Sequence, residues 1–389
     1  MRRRTAINRH KMKNILIITG RYLPGYKDGG PVRTIKNLTD LLGDEYHFTI
    51  MCADRDHGDL KPYDGIKEGI NTVGRADVVY VKDGDFSFSD IKKYAAQNDL
   101  VYVCGPYNSY ALKALVLNRF GLVKGPFVLA PMGSFSKGAL SIKSTKKKIF
   151  FAIVRILGLF RNVYFSVTSD VEEKELQDAL HVNNKCFIAR DPQRMIDEKV
   201  CHDRFRKDGK LQVVFISRIS EKKNLSGAID ILSRVSGAVN FSIYGNIEDK
   251  EYYEKCLQKL NMLPDNISYE YKGIAASEDV PKILSDYDVF LFPTHGENFG
   301  HVISEALMAG TIPVISDTTP WLDFDDKHAG FVVKHDSIDS FVRIIDSLCS
   351  MEDSGLAELS DNAVSYYREN YAESIKNNGY RVMYEELLR

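Results

Sequence analysis

The sequence predicts an α/β protein made of two successive units, each a doubly wound sheet of mostly parallel strands. Three observations carry that prediction. The chain has 389 residues, more than one ordinary hydrophobic core fills. Short apolar or β-branched runs alternate with longer helix-like segments from end to end, the pattern of strands covered on both faces. One polar interruption, ARDPQRMIDEKVCHDRFRKDGK, is followed by a fresh strand, LQVVFIS, so the alternation restarts.

The elements follow in order. In the first half the expected strands are residues 15–19, 47–52, 78–81, 100–104, 127–130 and 163–168. In the second they are 213–217, 241–244, 267–271, 289–293, 312–316 and 331–333. The expected division is a basic leader at 1–11, a first unit at 12–190, a linker at 191–210, a second unit at 211–360 and a final amphipathic helix at 361–389, placed to cross back to the first unit. The leader, MRRRTAINRHK, is patternless, and MKNILIITG from Met12 has the look of a natural start. In open parallel sheets ligands bind beyond the carboxyl ends of the strands, so two such sheets facing across a cleft would line it with their loops.

Composition narrows the function. Hydrophobic residues make up 44% and charged residues 27%, with a formal net charge of -1. That is a globular composition with no global attraction to nucleic acid. Cys52, Cys104, Cys186, Cys201, Cys256 and Cys349 stand singly without metal-ligand spacing, as in a reduced, cytosolic protein. No apolar run reaches the ~20 residues of a spanning helix, and no secretory leader is evident.

The most informative stretch is PTHGENFGHVISEALMAGTIPVISDTTPW, from Pro293 to Trp321. A strand ends at Pro293, and a helix is expected from about Phe299 to the Ala309-Gly310 cap. Glu297 and Glu305 are eight residues apart, up to roughly 12 Å along a helix axis. That exceeds the ~5–9.5 Å at which two carboxylates act around one glycosidic bond, but it suits a grip on two ends of an extended ligand. Between them the backbone N–H groups of Phe299, Gly300 and His301 offer an anion site. A sugar diphosphonucleoside has the matching parts. The spacing alone is equally that of a capped helix with two solvated glutamates.

The string ENFGHVISEALMAGTIPVISD, with Glu297 and Glu305 in place, resembles the signature of glycosyltransferase family four. The resemblance implies the GT-B fold of two Rossmann-like domains, Glu297 at the donor sugar as the catalytic carboxylate, and Glu305 on the nucleotide ribose. It covers most of the chain from Met12 and is loosest in the first half. FISRISEKKNLSGAIDIL places Arg218 after a strand and Lys223 at the start of the next helix. Both suit diphosphate oxygens and the charge of a departing nucleotide. They match the family's donor-phosphate pair, with Ser217 where the family usually has Gly.

TGRYLPGYKDGGPVRTI carries Gly29 and Gly30 before a helix, which allows close backbone approach. It is not a GxGxxG fingerprint. The pair corresponds to the family's N-domain loop above the donor, and a plain flexible loop reads the same way. Many members place a His after the fourth strand, whereas this chain has VYVCGPYNSY, leaving Tyr107 or Asn108 to substitute. His295 and His301 flank Glu297. From Lys137 to Ser169 there are seven Lys/Arg and no acid. The segment between Lys137 and Arg161 has the composition of one that lies on anionic lipid, as a lipid-linked acceptor would require, and equally that of a core helix with a basic exposed turn.

Asp83, Asp85, Asp325 and Asp326 lack a convergent partner for a metal. The resemblance implies transfer without metal or other cofactor. The expected function is thus a retaining, metal-independent glycosyltransferase of the hexosyl type. It passes a sugar from a nucleotide diphosphate to a glycan or lipid-linked acceptor, in bacterial surface polysaccharide assembly, in the cytoplasm or at the inner face of its membrane. The alternatives are a nucleotide-sugar epimerase or hydrolase on the same fold, and a non-catalytic scaffold.

Overall fold

The computed structural model describes residues 12–25, 27, 29–135, 150–151, 154–195, 206 and 208–389. The chain divides into two compact units, Met1–Pro192 with Ile375–Arg389, and Gln193–Ser374.

In the first unit, β1 (Lys13–Ile18), β2 (Tyr46–Ala53), β3 (Ile70–Val73), β4 (Ala76–Val81), β5 (Leu100–Cys104), β6 (Phe127–Ala130), β7 (Tyr164–Val167) and β8 (Cys186–Ile188) form one sheet. Its order is β3-β4-β2-β1-β5-β6-β7-β8. All pairs are parallel except β3 with β4. The central strand is apolar on both faces, with Ile15 to Ile18 all at 0% exposure. Helices α1 (Gly30–Leu42), α2 (Phe88–Ala95), α3 (Ser109–Arg119) and α4 (Asp170–Leu180) connect the strands.

In the second unit, β9 (Leu211–Ile216), β10 (Val239–Tyr244), β11 (Ile267–Gly273), β12 (Val289–Phe292), β13 (Ile312–Ser316) and β14 (Phe331–Val333) are ordered β11-β10-β9-β12-β13-β14, all parallel. Around them lie α5 (Leu225–Leu232), α6 (Lys250–Leu260), α7 (Val280–Leu284), α8 (His301–Ala309), α9 (Ile338–Ser350) and α10 (Asp353–Lys376). Helix α11 (Gly379–Leu387) belongs to the first unit, where Arg381 pairs with both oxygens of Glu45 and Tyr384 packs edge-on against Tyr46.

Strand order places the sites. In each sheet the chain winds outward from a central strand in one direction, then returns to wind in the other. The loops after the two strands at that reversal splay apart and leave a crevice at their carboxyl ends. In the second unit those strands are β9 and β12; in the first they are β1 and β5.

All twelve expected strands are present, displaced at their ends by a residue or two. The sequence reading missed β3 and β8. β3 is an edge strand, INTV, with no fully buried residue, and β8 has only three residues, so neither shows an apolar run. The expected single C-terminal helix is two. The backbone breaks at Asn378, whose side chain caps α11 by accepting from the Arg381 N–H. Gly379 packs so closely on β8 that a Cβ there would lie 2.2 Å from the Ile188 carbonyl.

Candidate functional site

The second unit's crevice is built from the loops after β9 and β12. Beyond Phe292 the chain runs through Thr294, which is fully buried and tied down from several sides. Its carbonyl accepts from Ser316 Oγ at 2.5 Å and Thr318 Oγ1 at 2.7 Å. Its hydroxyl lies 3.1 Å from both the Lys222 carbonyl and Glu297 Oε1. The Glu297 N–H donates to the Thr318 carbonyl at 3.2 Å. These bonds hold a loop with little apolar side chain of its own.

Gly300 then takes φ 83, ψ 58, in the left-handed region, which L residues with a Cβ seldom adopt. A Cβ there would also lie 2.8 Å from Ile303. Helix α8 therefore begins at His301, not near Phe299 as expected. Its N-cap has no side-chain hydrogen bond, and the N–H groups of Phe299 and Gly300 find no acceptor among the described residues. An uncapped nine-residue helix presents about half a positive charge at this end. Phe299 is anchored from behind: its carbonyl accepts from Trp321 Nε1 at 2.5 Å, and the two rings meet at 5.3 Å. His301 is buried, its ring tilted against Phe299 at 4.9 Å.

Across the crevice, the loop after β9 carries Arg218 and Lys223. Lys223 sits in a 3-10 turn, Glu221–Lys223, not in the following helix as expected. The helix opens at Leu225, after a left-handed Asn224 whose side chain accepts from the Gly227 N–H and donates to the Pro293 carbonyl. Asn224 thus stitches the two loops together. Lys223 Nζ lies 2.6 Å from Glu297 Oε1, with side-chain exposures of only 12% and 9%. Burial holds the Lys223 ammonium below its ordinary pKa, and Glu297 pulls it back up. Arg218 is turned outward and meets both oxygens of Glu248 at 3.0 Å, half exposed. Gly245, at the end of β10, makes room for this turn, since a Cβ there would lie 1.7 Å from the Ser217 carbonyl.

Glu305 lies one turn into α8 and is also buried, at 5% exposure. Arg194 Nη1 approaches it to 3.9 Å, while the same guanidinium donates to the Ser277 and Glu278 carbonyls. Neither glutamate is solvated, which removes the reading of α8 as a plain amphipathic helix. Beside the loop, His295 Nδ1 and His335 Nε2 are 2.8 Å apart.

The second unit therefore brings Lys223, Glu297, Phe299, Gly300, His301 and Glu305 onto one helix tip, with Arg218 beside it but paired to Glu248. Thr294, Asn224, Gly245 and Arg194 were missed by the sequence reading. Arg194 lies in the stretch assigned to the linker, and only the fold shows what it faces.

The first unit's crevice lies between the loops after β1 and β5. Gly29, with φ 63, is the N-cap of α1, and Gly30 is its first residue. No atom lies within 4 Å of a Cβ at Gly29, so that position is open and its requirement is conformational. After β5, the ring of Tyr107 packs among Phe135, Phe150 and Phe151, and its hydroxyl donates to the Ser134 carbonyl. Asn108 is the N-cap of α3 and donates to the Tyr110 hydroxyl at 2.8 Å. Five cysteines are free, three of them buried, while Cys201 lies outside the described residues. So do residues 136–149 and 152–153 of the basic segment. Among the described residues no helix is long and apolar enough to cross a membrane, and no three His, Cys, Asp or Glu converge on a point.

Residues 198–369 match the family model described as Glycosyl transferases group 1. The chain is 23% identical over 329 residues to an uncharacterized 41.2 kDa protein in the cps region of Klebsiella pneumoniae, covering 82% of this chain and 87% of that protein. A shorter match, 28% identical over 111 residues and 28% of each chain, is to 2-deoxystreptamine N-acetyl-D-glucosaminyltransferase of Niallia circulans. Among solved structures, Anabaena Alr3699/HepE in complex with UDP-glucose superposes with a TM-score of 0.68 at 14% identity, over 96% of this chain and 99% of that one. The fold is GT-B.

Proposed function

We propose that this chain transfers a sugar from a nucleotide diphosphate to an acceptor with retention of anomeric configuration, and that Glu297, Lys223 and the tip of α8 carry the chemistry. One observation supports this reading above the rest: an uncapped helix N-terminus flanked by two buried carboxylates, each matched to a basic side chain. The donor pyrophosphate sits on the amides of Phe299, Gly300 and His301. Lys223 turns from Glu297 to the phosphates, and Arg218 leaves its exposed partner Glu248 to join it. Glu297, released, accepts hydrogen bonds from the donor sugar. Glu305, oriented by Arg194, takes the ribose hydroxyls.

Bond cleavage places negative charge on the leaving phosphate, where two cations and the helix dipole already point. The acceptor hydroxyl attacks the anomeric carbon from the face the nucleotide leaves. The leaving phosphate accepts the acceptor's proton, so the step needs neither an enzyme nucleophile nor a metal or other cofactor. Acceptor recognition falls to the first unit, through the open loop at Gly29 and Gly30. The cps-region relative favours a glycan or lipid-linked acceptor in surface polysaccharide assembly. The enzyme is read as cytoplasmic and of the hexosyltransferase type.

The test is nucleoside diphosphate release from a panel of nucleotide sugars, with and without candidate acceptors. Release that depends on acceptor is expected. Equal turnover without acceptor favours the hydrolase or epimerase, and full biological activity in Glu297→Ala favours the scaffold.

A further inference from the structure

We propose that the first unit rests on an anionic lipid surface through an apolar knuckle made by Phe120, Leu122, Ile156 and Leu157. These side chains are 73%, 42%, 81% and 51% exposed. They come from the end of α3 and from the end of a helical stretch at residues 154–157 that lies beside it. Asn118 Nδ2 donates to the Asn162 carbonyl at 3.4 Å, and Arg119 Nε to the Leu157 carbonyl at 3.3 Å.

Both ends are closed in the same way. The Leu122 N–H returns to the Leu117 carbonyl and Gly121, with φ 70, to Asn118. The Leu159 N–H returns to the Val154 carbonyl and Gly158, with φ 59, to Arg155. This double-bonded glycine cap ordinarily folds its hydrophobic neighbour back onto the helix. Leu159, after the second glycine, folds back in this way and is 1% exposed, whereas Phe120, Ile156 and Leu157, before the glycines, stand outward on well-bonded backbone. Water does not favour that arrangement, and an apolar partner does.

Charge identifies the partner. From Leu100 to Ser169 the sequence has ten Lys or Arg and no Asp or Glu. Among them Lys124, Arg155 and Arg161 are exposed beside the knuckle. Other exposed apolar residues differ: Leu60, 91% exposed, stands between Asp59 and Lys61, as isolated surface residues commonly do. An apolar centre with Lys124, Arg155 and Arg161 exposed beside it fits a bilayer with anionic headgroups. The rings enter the acyl boundary while the basic groups stay among the phosphates. Of the four residues, Ile156 and Leu157 lie within the basic segment between Lys137 and Arg161, and Phe120 and Leu122 outside it.

The experiment is co-sedimentation of the full chain with vesicles of phosphatidylcholine, alone or mixed with phosphatidylglycerol. Binding to the anionic vesicles is expected, weakening steeply as salt shortens the Debye length. Phe120→Ser with Ile156→Ser should lower the partition at least about tenfold. Arg155→Gln with Arg161→Gln should lower it about 25-fold, at roughly fivefold per charge. All four residues are exposed, so unchanged circular dichroism and thermal midpoints show that the variants fold. The proposal fails if the wild type ignores anionic vesicles, binds neutral ones equally, or keeps its affinity in both variants. It also fails if the chain forms a dimer that the serine variant dissolves, because a second copy then owns the face. Donor turnover in solution is read separately, so neither result decides the other.

Discussion

Lys223 and Glu297 form an ion pair of 2.6 Å that joins the loop after β9 to the loop after β12, with both side chains almost out of water. Seventy-four residues separate them in sequence, and the strand order of the second sheet makes them neighbours. A buried pair is costly to break from one side, because the partner is left as an uncompensated charge. Lys223→Met should therefore destabilise the protein by about 3 kcal/mol. Adding Glu297→Gln should recover at least about 1 kcal/mol of that loss. Urea unfolding of the two singles and the double measures the coupling, and additive losses would show that the pair is not energetically real.

Glu297→Gln alone separates binding from chemistry. The proposed contact of Glu297 is with the donor sugar, and the diphosphate is held by other groups. The variant should lose transfer by a factor of about 100, while its affinity for free nucleoside diphosphate is kept or rises, because Lys223 no longer has to leave a carboxylate to reach the phosphates. Calorimetry alongside initial rates distinguishes the two. Equal loss in both would move the carboxylate to the phosphate side.

Arg218 reaches the diphosphate only by leaving Glu248, an exposed pair worth at most about 1 kcal/mol. Arg218→Ala should weaken nucleoside diphosphate binding about tenfold, the loss of one charged hydrogen bond. Glu248→Gln should leave binding unchanged or slightly tighter. A weaker Glu248→Gln complex would mean that Arg218 is needed where it now stands.

The strands of both sheets were legible because parallel strands, buried on both faces, are written as unbroken apolar runs such as VVFI and VFLF. The helix-tip motif was legible because Gly300 has to be glycine at its φ and because Glu305 is conspicuous in an apolar helix, with Glu297 in the loop before it. The pairing was not legible. Lys223 was singled out by the resemblance as a phosphate ligand, and nothing local marks it as the buried partner of Glu297. Arg194 was hidden for the opposite reason, lying in a polar stretch that composition assigns to a linker. The start of α8 was misplaced because a left-handed residue stops a helix as firmly as proline but carries no periodicity signal.

His295 and His335 make the stability of the second unit depend on pH. One ring donates and the other accepts the hydrogen bond that joins them. Burial, and then His335, keep the His295 pKa below its ordinary 6.5. The unfolded chain therefore binds more protons between that lowered value and about pH 6.5. The stabilisation is fully present above about 6.5 and is lost as pH falls through the lowered pKa. His335→Gln removes the neighbour that opposes protonation of His295, so its unfolding midpoint should fall less than the wild type's between pH 7.5 and 5.5. Parallel slopes would show that the pair plays no part.

Trp321 is the single tryptophan of the chain, and it touches the helix tip itself. Its indole N–H holds the Phe299 carbonyl, and its ring lies 5.3 Å from the Phe299 ring. A pyrophosphate docking on the Phe299 and Gly300 amides polarises the peptide that the indole grips, so donor binding should change the fluorescence saturably. The change should follow the donor and free nucleoside diphosphate, and be absent with the free sugar. Glu305→Gln should shift the curve to higher donor concentration without altering its amplitude, because Glu305 touches the ribose and not the tip. Trp321→Phe keeps the ring but loses the N–H donor, leaving a buried carbonyl unsatisfied at a cost of about 1–3 kcal/mol. That variant should bind donor more weakly through a loosened Phe299. If nucleoside diphosphate binds by calorimetry while Trp321 emission stays flat, the phosphates do not sit at this helix tip.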